Sequence, residues 1–334
     1  MAYDLGILRS RKFKMPVVSV GNLLAGGTGK TPMTEYLTAL LNRDFKIAVL
    51  SRGYGRKTRG FFKVNSTSNA NDVGDEPLQI KQKFPEVTVA VCEDRVEGIK
   101  RLNRDHELVI LDDAFQHRAI APGFSILLFD YNSVGKFELL LPAGNLREPF
   151  YGRRRADVIV ITKTPETLSE EKRKQILKKI SAYSHQRVFF SYLEYGLLKS
   201  FKHPERELDL NTIKPETQIL LLTGIANPVP LLKEIQKRSL NINHHNYPDH
   251  HLFSKKNILK LAADFKYLPG TDKLIISTEK DFQRLKTGSI LKLLNNLPIY
   301  YLPVKAEIHQ PERFDFNDLI KKYATERRIN LRIH

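Results

Sequence analysis

The run Val17-Val18-Ser19-Val20-Gly21-Asn22-Leu23-Leu24-Ala25-Gly26-Gly27-Thr28-Gly29-Lys30-Thr31-Pro32 carries an apolar strand into a glycine loop that ends in Gly-Lys-Thr. Residues of those types at that spacing hold a phosphate. Successive backbone N–H groups converge on its oxygens, Lys30 supplies a point charge, Thr31 offers a hydroxyl to Mg²⁺, and the following helix adds its positive end. Pro32 suits a first helical turn, which tolerates a residue without an N–H. The usual GxxxxGK[ST] spacing asks for glycine where this chain has Leu24, and the glycines stand at Gly26 and Gly27 instead. The loop Leu24, Ala25, Gly26, Gly27, Thr28, Gly29, Lys30, Thr31 is therefore a variant nucleotide cradle. A second constellation, Leu108-Val109-Ile110-Leu111-Asp112-Asp113, ends an apolar strand in two acids, the form of a Walker B element that binds Mg²⁺ or orders its hydration shell.

Elements that position these residues alternate along the chain. Pro16 to Val20, Lys46 to Leu50, Val87 to Cys92, Leu108 to Leu111, Ser125 to Phe129 and Val158 to Thr162 read as buried strands, with helical stretches at Met33 to Asn42, Arg95 to Asn103 and Glu166 to Tyr183. The βαβ pattern predicts an α/β fold, a P-loop NTPase-type mainly parallel sheet flanked by helices. The aromatic alternation of Phe189-Phe190-Ser191-Tyr192-Leu193-Glu194-Tyr195 reads as a β-type linker. Beyond it Gln218 to Thr223, Asn241 to Asn246, Lys273 to Ser277 and Ile299 to Val304 predict strands of a second, smaller α/β domain, with helices at Val229 to Arg238 and Lys255 to Phe265. The expected division is 1–187, a linker 188–212, and 213–334.

Ionisable residues cluster in loops where such a sheet binds ligands: Ser51-Arg52-Gly53-Tyr54-Gly55, Gly74-Asp75-Glu76-Pro77, Glu93-Asp94-Arg95, Phe115-Gln116-His117-Arg118 and Leu141 to Pro149. Asp75-Glu76 alone reads as an N-cap followed by a first-turn acid. In the second half, Tyr247-Pro248-Asp249-His250-His251 and Ser277-Thr278-Glu279-Lys280-Asp281 each follow a predicted strand. His244, His245, His250 and His251 lack the helical i, i+4 spacing of a zinc site, and a histidine that orients a carboxylate fits better.

The 334 residues include 54 Lys and Arg against 37 Asp and Glu, a formal net charge of +17 that favours anionic partners. Basic clusters at 9–12, 153–155, 172–174 and 327–328 spread this charge along the chain. No apolar run reaches the roughly 18 residues of a membrane span. A single cysteine, Cys92, makes no intramolecular disulfide, which favours a reducing compartment.

In this order the motifs closely resemble the tetraacyldisaccharide 4′-kinases, the lipid A 4′-kinases of Gram-negative bacteria. The marks are Ser19-Val20-Gly21-Asn22 with Gly26 to Pro32, Ser51 to Gly55, Gly74 to Pro77, Asp94-Arg95, Leu111 to His117, Leu141 to Pro149, Asp249-His250 and Thr278 to Asp281. The resemblance spans nearly the whole chain. It implies transfer of the γ-phosphate of ATP, with Mg²⁺, to the 4′-hydroxyl of a tetraacyldisaccharide 1-phosphate. The implied partners are this lipid and an anionic membrane surface at the cytoplasmic face of the inner membrane, with no nucleic acid and no obligatory protein partner. By motif position, Asp75 is the base, His250 pairs with it, and Lys30 and Thr31 hold phosphate and metal. Asp112, Asp113 and Glu148 are the acids toward the metal, and Glu76, Arg95, His117 and Arg147 line the phosphate or sugar-phosphate region.

Relatives begin with a longer segment carrying an apolar helix, whereas Met1 to Met15 alone precede the strand here, so the chain is expected to start late. Ala114 stands where many relatives have glycine. The alternatives are a partitioning-type ATPase, which carries a lysine where this chain has Ala25, and a nucleic-acid-binding protein favoured only by the charge.

Overall fold

Val17, Val18 and Val20 are β-branched, lie between Pro16 and the glycine loop, and form the central strand of the larger of two sheets. The computed structural model describes residues 3, 4, 6–286 and 288–332; the start of the Met1–Met15 segment and the end of the 213–334 unit lie outside the described residues. The chain first lays down β1 (Val17–Asn22), β2 (Ile47–Ser51), β3 (Phe62–Lys63), β4 (Thr88–Val91), β5 (Leu108–Leu111), β6 (Phe124–Asp130), β7 (Val158–Thr162) and β8 (Arg187–Tyr195). A second sheet takes β9 (Leu198–Ser200), β10 (Glu207–Leu208), β11 (Gln218–Thr223), β12 (Ile242–Asn246), β13 (Lys273–Thr278) and β14 (Ile299–Leu302), after which β15 (Val304–Ile308) rejoins the first. The orders are β15-β8-β7-β6-β1-β5-β2-β4-β3 and β10-β9-β14-β13-β11-β12.

Both sheets are mainly parallel, as the alternating pattern predicts. Helices α1 (Lys30–Leu41), α2 (Ala70–Val73), α3 (Asp75–Lys83), α4 (Arg95–Leu102) and α5 (Glu170–Ile180) belong to the first unit. The second carries α6 (Val229–Gln236), α7 (Lys255–Tyr267), α8 (Glu279–Leu285) and α9 (Gly288–Leu294), and α10 (Glu312–Arg332) closes the chain. Met33 and Leu37 of α1 and Ile80 of α3 pack with Val18, Ile110 and Val160 on one face of the first sheet. Ile99 of α4 and Ile176 of α5 cover the other, against Leu50 and Ile159 respectively. A parallel sheet buried on both faces needs such continuous apolar strands.

The division between the units differs from 1–187, 188–212 and 213–334 in two ways. Residues 187–195 are an interior strand of the first sheet, paired with β7 through Val158↔Arg187 and Ile161↔Phe190. Phe189 packs into the core on one face and Phe190 into the core on the other, which is why the aromatic run carries no exposed linker face. The predicted strand Ile299 to Val304 splits at Pro303, which lacks the N–H to continue a ladder. From there Val304 pairs with Tyr195 in the first sheet, and Gly196 N–H donates to Pro303 O at 3.0 Å, so the two crossings between units run side by side. Phe316, Ile320 and Ala324 of α10 then bury themselves in the first core, where each large apolar side chain contributes roughly 1.5–3 kcal/mol. Helix α10 therefore returns to the unit that holds β1.

Candidate functional site

The glycine loop opens α1 through Gly29, whose φ of 86° lies in the left-handed region. Neighbouring elements pin the loop from below. Thr162 Oγ1 at the end of β7 donates to Thr28 O at 2.8 Å, Lys163 Nζ donates to Gly27 O, and Ala25 N–H donates to Asn145 O at 2.7 Å. Lys30 Nζ lies 3.7 Å from Asp113 Oδ2, and Arg147 Nη1 meets both Asp113 oxygens at 2.9 and 3.1 Å. Arg95, buried at the start of α4, donates to Asp113 O at 3.3 Å and to Glu93 O at 3.1 Å. The parallel register of β1 on β5 places these acids beside the loop.

Asp112 is fully buried. Its Oδ1 accepts from Thr34 Oγ1 at 3.1 Å, while Oδ2 has no hydrogen-bond partner among the described residues. Burial first, then the negative charges of Glu76 and Asp113, push its carboxyl up to about 7, against the pull of Lys30. Extra positive charge at this spot would be strongly favoured. His117 is half-buried, and burial followed by the charge of Arg95 holds its imidazole below the usual range. Glu148, expected among the acids toward the metal, is held by an ion pair as Asp113 is. Arg155 takes both its oxygens, at 2.9 and 2.8 Å, and Gln116 Nε2 donates to Oε1 at 3.0 Å.

The second half of the site joins the two sheets. Asp75 is the first residue of α3, and Gly74, not Asp75, occupies the cap, with a φ of 91°. A Cβ on Gly74 would lie 3.2 Å from Tyr54 O and 3.3 Å from Gly53 Cα, so glycine lets the 51–55 loop close over Asp75. Asp75 Oδ1 accepts from Glu76 N–H at 2.9 Å. Its Oδ2 accepts from His250 Nδ1–H at 3.0 Å and faces Arg284 Nε at 3.4 Å. Burial opposes ionisation of Asp75, but the hydrogen bond from His250 and the charges of Lys280 and Arg284 outweigh it and hold the carboxyl at about 2.

His250 follows β12 in a turn where its own φ is 57°, its N–H donates to Gly224 O at 3.1 Å, and the Tyr54 ring packs against it, tilted by 47°, with centroids 4.8 Å apart. Lys280 Nζ reaches His250 Nε2 at 3.2 Å, Glu76 Oε1 at 3.0 Å and Asp249 Oδ1 at 3.4 Å. An ammonium has only donors, so Nε2 accepts and Nδ1 carries the proton toward Asp75. Burial opposes the charge on Lys280, yet Glu76, Asp75 and Asp249 raise its pKa above the ordinary lysine range. Arg284 is locked in turn by Asp281 Oδ1 at 2.6 Å and Gly224 O at 2.9 Å.

A second inter-unit contact flanks this one. Lys83 of α3 bridges Glu35 of α1 at 2.7 Å and Glu279 of α8 at 3.0 Å. Thr34, Glu35, Lys83 and Arg284 carried no chemical motif in the sequence. Thr34 lies one helical turn beyond Lys30, and Arg284 lies three residues after Asp281, spacings that only become a cue once the helices are known. His244 and His245 are occupied elsewhere, by Thr223 Oγ1 at 2.8 Å and Asp264 Oδ2 at 3.0 Å. Between the units, next to Lys163, lies a cleft of about 610 Å³ lined by Tyr192, Tyr195, Asn211 and Arg238 among others.

The sequence profile of the family described as Tetraacyldisaccharide-1-P 4′-kinase matches residues 1–323. A tetraacyldisaccharide 4′-kinase from Phocaeicola vulgatus is 40% identical over 333 residues, covering 98% of this chain and 91% of that protein. One from Bacteroides thetaiotaomicron is 42% identical over 340 residues, covering 98% and 89%. Among solved structures, that of LpxK from Aquifex aeolicus in complex with ATP superposes with a TM-score of 0.71 at 28% identity, covering 96% of this chain and 92% of that one.

Proposed function

The chain belongs to the tetraacyldisaccharide-1-phosphate 4′-kinase family and is an ATP-dependent lipid kinase of lipid A biosynthesis, and on that premise we propose how its two half-sites divide the reaction. Residues 24–31, Lys30 above all, hold the phosphates of ATP, and the cleft beside Lys163 is large enough for the nucleoside. Mg²⁺ fits this half because Asp112 Oδ2 is buried without a partner among the described residues. Thr31, Asp112 and Asp113 would hold the ion, which when bound neutralises charge on the β and γ phosphates. Glu148, held by Arg155 and Gln116, is the further acid that motif position assigns toward the ion. Arg95 and Arg147, anchored on Asp113, with His117 face the phosphates, and Glu76 fixes Lys280.

Asp75 receives the proton of the 4′-hydroxyl. At about 2 its carboxylate is a weak base but a permanently ionised acceptor, which suffices when the transition state is loose and positioning supplies most of the acceleration. His250 and Arg284 hold Oδ2, and Oδ1 is left to orient the hydroxyl. The observation that carries this reading is the 3.0 Å contact of Asp75 with His250, residues from different sheets. The acceptor lipid and the basic surface support a seat on an anionic membrane at the cytoplasmic face of the inner membrane; among the described residues no helix is long and apolar enough to cross a membrane.

The test is incubation with γ-labelled ATP, Mg²⁺ and the disaccharide 1-phosphate. A labelled bisphosphate is expected from the wild type and none from Lys30→Ala or after chelation of Mg²⁺. Full product formation under chelation would contradict the metal assignment.

A further inference from the structure

A lipid kinase must meet a substrate whose acyl chains stay in a bilayer, and one loop of this chain is built as if to do so. The segment Phe137-Glu138-Leu139-Leu140-Leu141 presents its apolar side chains to water: Phe137 is 88% exposed, and all three leucines are exposed as well. The base of the same loop is rigid. Leu146 is buried with Leu23, Leu24 and Phe115, Asn145 O accepts from Ala25 N–H at 2.7 Å, and Arg147 N–H donates to Leu23 O at 2.8 Å. An apolar tip on a fixed stem, tied directly to the phosphate loop, leaves hydrophobic area that only a partner can cover.

Further apolar groups are exposed in the turn that follows and on the N-terminal segment. Phe150 and Tyr151 are exposed in the following turn, and Ile7, 71% exposed, lies with exposed Leu8 on the N-terminal segment, which Asp4 ties to this side through Arg118 at 3.1 Å and Arg154 at 3.5 Å. Cations frame it. Lys136 begins the tip, Arg153 lies 4.3 Å over the Phe150 ring, Arg154 5.3 Å over Tyr151, and Lys179 packs against Gly135. We infer that Phe137–Leu141, with this rim, is the surface that seats the enzyme on an anionic bilayer, the tip entering between headgroups and the cations resting on them. A second copy of the chain would bring the same cations and the same formal +17, so like charge would meet like, whereas an anionic bilayer accepts rim and tip together. The inference rests on the membrane reading above and adds where contact is made.

Flotation with vesicles of phosphatidylglycerol and phosphatidylethanolamine tests it, using the full chain, the triple variant Phe137→Ser/Leu139→Ser/Leu140→Ser, and Lys136→Glu/Lys179→Glu. Wild type should float with these vesicles and far less with phosphatidylcholine. The serine variant should lose about tenfold or more of its partitioning, and the glutamate variant should lose binding most at low salt. Both should phosphorylate detergent-dispersed substrate within about twofold of wild type, since the changed side chains are exposed. Wild-type binding by the serine variant would overturn the loop assignment and leave the membrane reading standing. Failure of the wild type to bind any vesicle would overturn both, and a serine variant that changes oligomeric state alone would assign the patch to a second copy.

Discussion

The two halves of the site are built in opposite ways. The nucleotide half is nearly continuous in sequence: β1, the glycine loop and α1 run from Val17 to Leu41, and Asp112-Asp113 joins through one neighbouring strand. The acceptor half gathers Asp75, His250, Lys280 and Arg284 from α3, a turn after β12, and α8, so it exists only while two sheets are docked. On the proposed division, the local half holds the phosphates of ATP through one strand, loop and helix. The composite half then makes phosphoryl acceptance depend on contact between the two units.

Substitutions can break this contrast, and the largest effect is expected at Lys30. Lys30→Ala should weaken ATP binding and cut turnover by about 10²–10³-fold together, measured by ATP titration and product formation; an unchanged ATP affinity would dissolve the distinction between the halves. Arg284→Met comes next, because it strands the buried carboxylates of Asp281 and Asp75. A loss of about 3–5 kcal/mol in unfolding free energy is expected, with the second unit melting first in proteolysis. Lys280→Met should be milder in stability but should leave Glu76, Asp249 and His250 Nε2 without their shared ammonium, a loss of turnover that Lys280→Arg should largely restore.

The smallest effect concerns the join between units. His309 lies between β15 and α10, where Thr164 Oγ1 meets its Nε2 at 2.7 Å, and burial, then the charge of Arg173, lower its pKa to about 4. The unfolded chain therefore binds a proton at higher pH than the folded one. The stability that neutral His309 contributes is whole above about pH 6.5 and is lost as pH falls toward 4. Thermal melts between pH 7 and 4.5 should show a decline that His309→Gln flattens.

The same contrast explains what could be read before the fold was known. Strands flanked by glycine and proline, and a cradle set by local spacing, are short-range features, and β1, β5, β7, β11 and β13 fall where the β-branched runs place them. Phe189 and Phe190 misled because an interior strand and a β-type linker share the same aromatic alternation, and only the pairing partners distinguish them. Pro303 and the return of α10 depend on which sheet receives β15, a long-range choice. Glu148 stands among the acids toward the metal by motif position, but its ion pair with Arg155, seven residues on, could not be told from the basic cluster 153–155. Arg284 and Lys83 were invisible for the same reason: an ion pair between distant elements leaves no periodic trace.

The claim that the halves divide binding from transfer is tested most directly by Asp75→Asn, comparing its ATP dissociation constant with its rate of bisphosphate formation. ATP affinity should stay near that of the wild type while turnover falls by about 10²-fold. Turnover close to wild type, or a parallel loss of ATP binding, would contradict it.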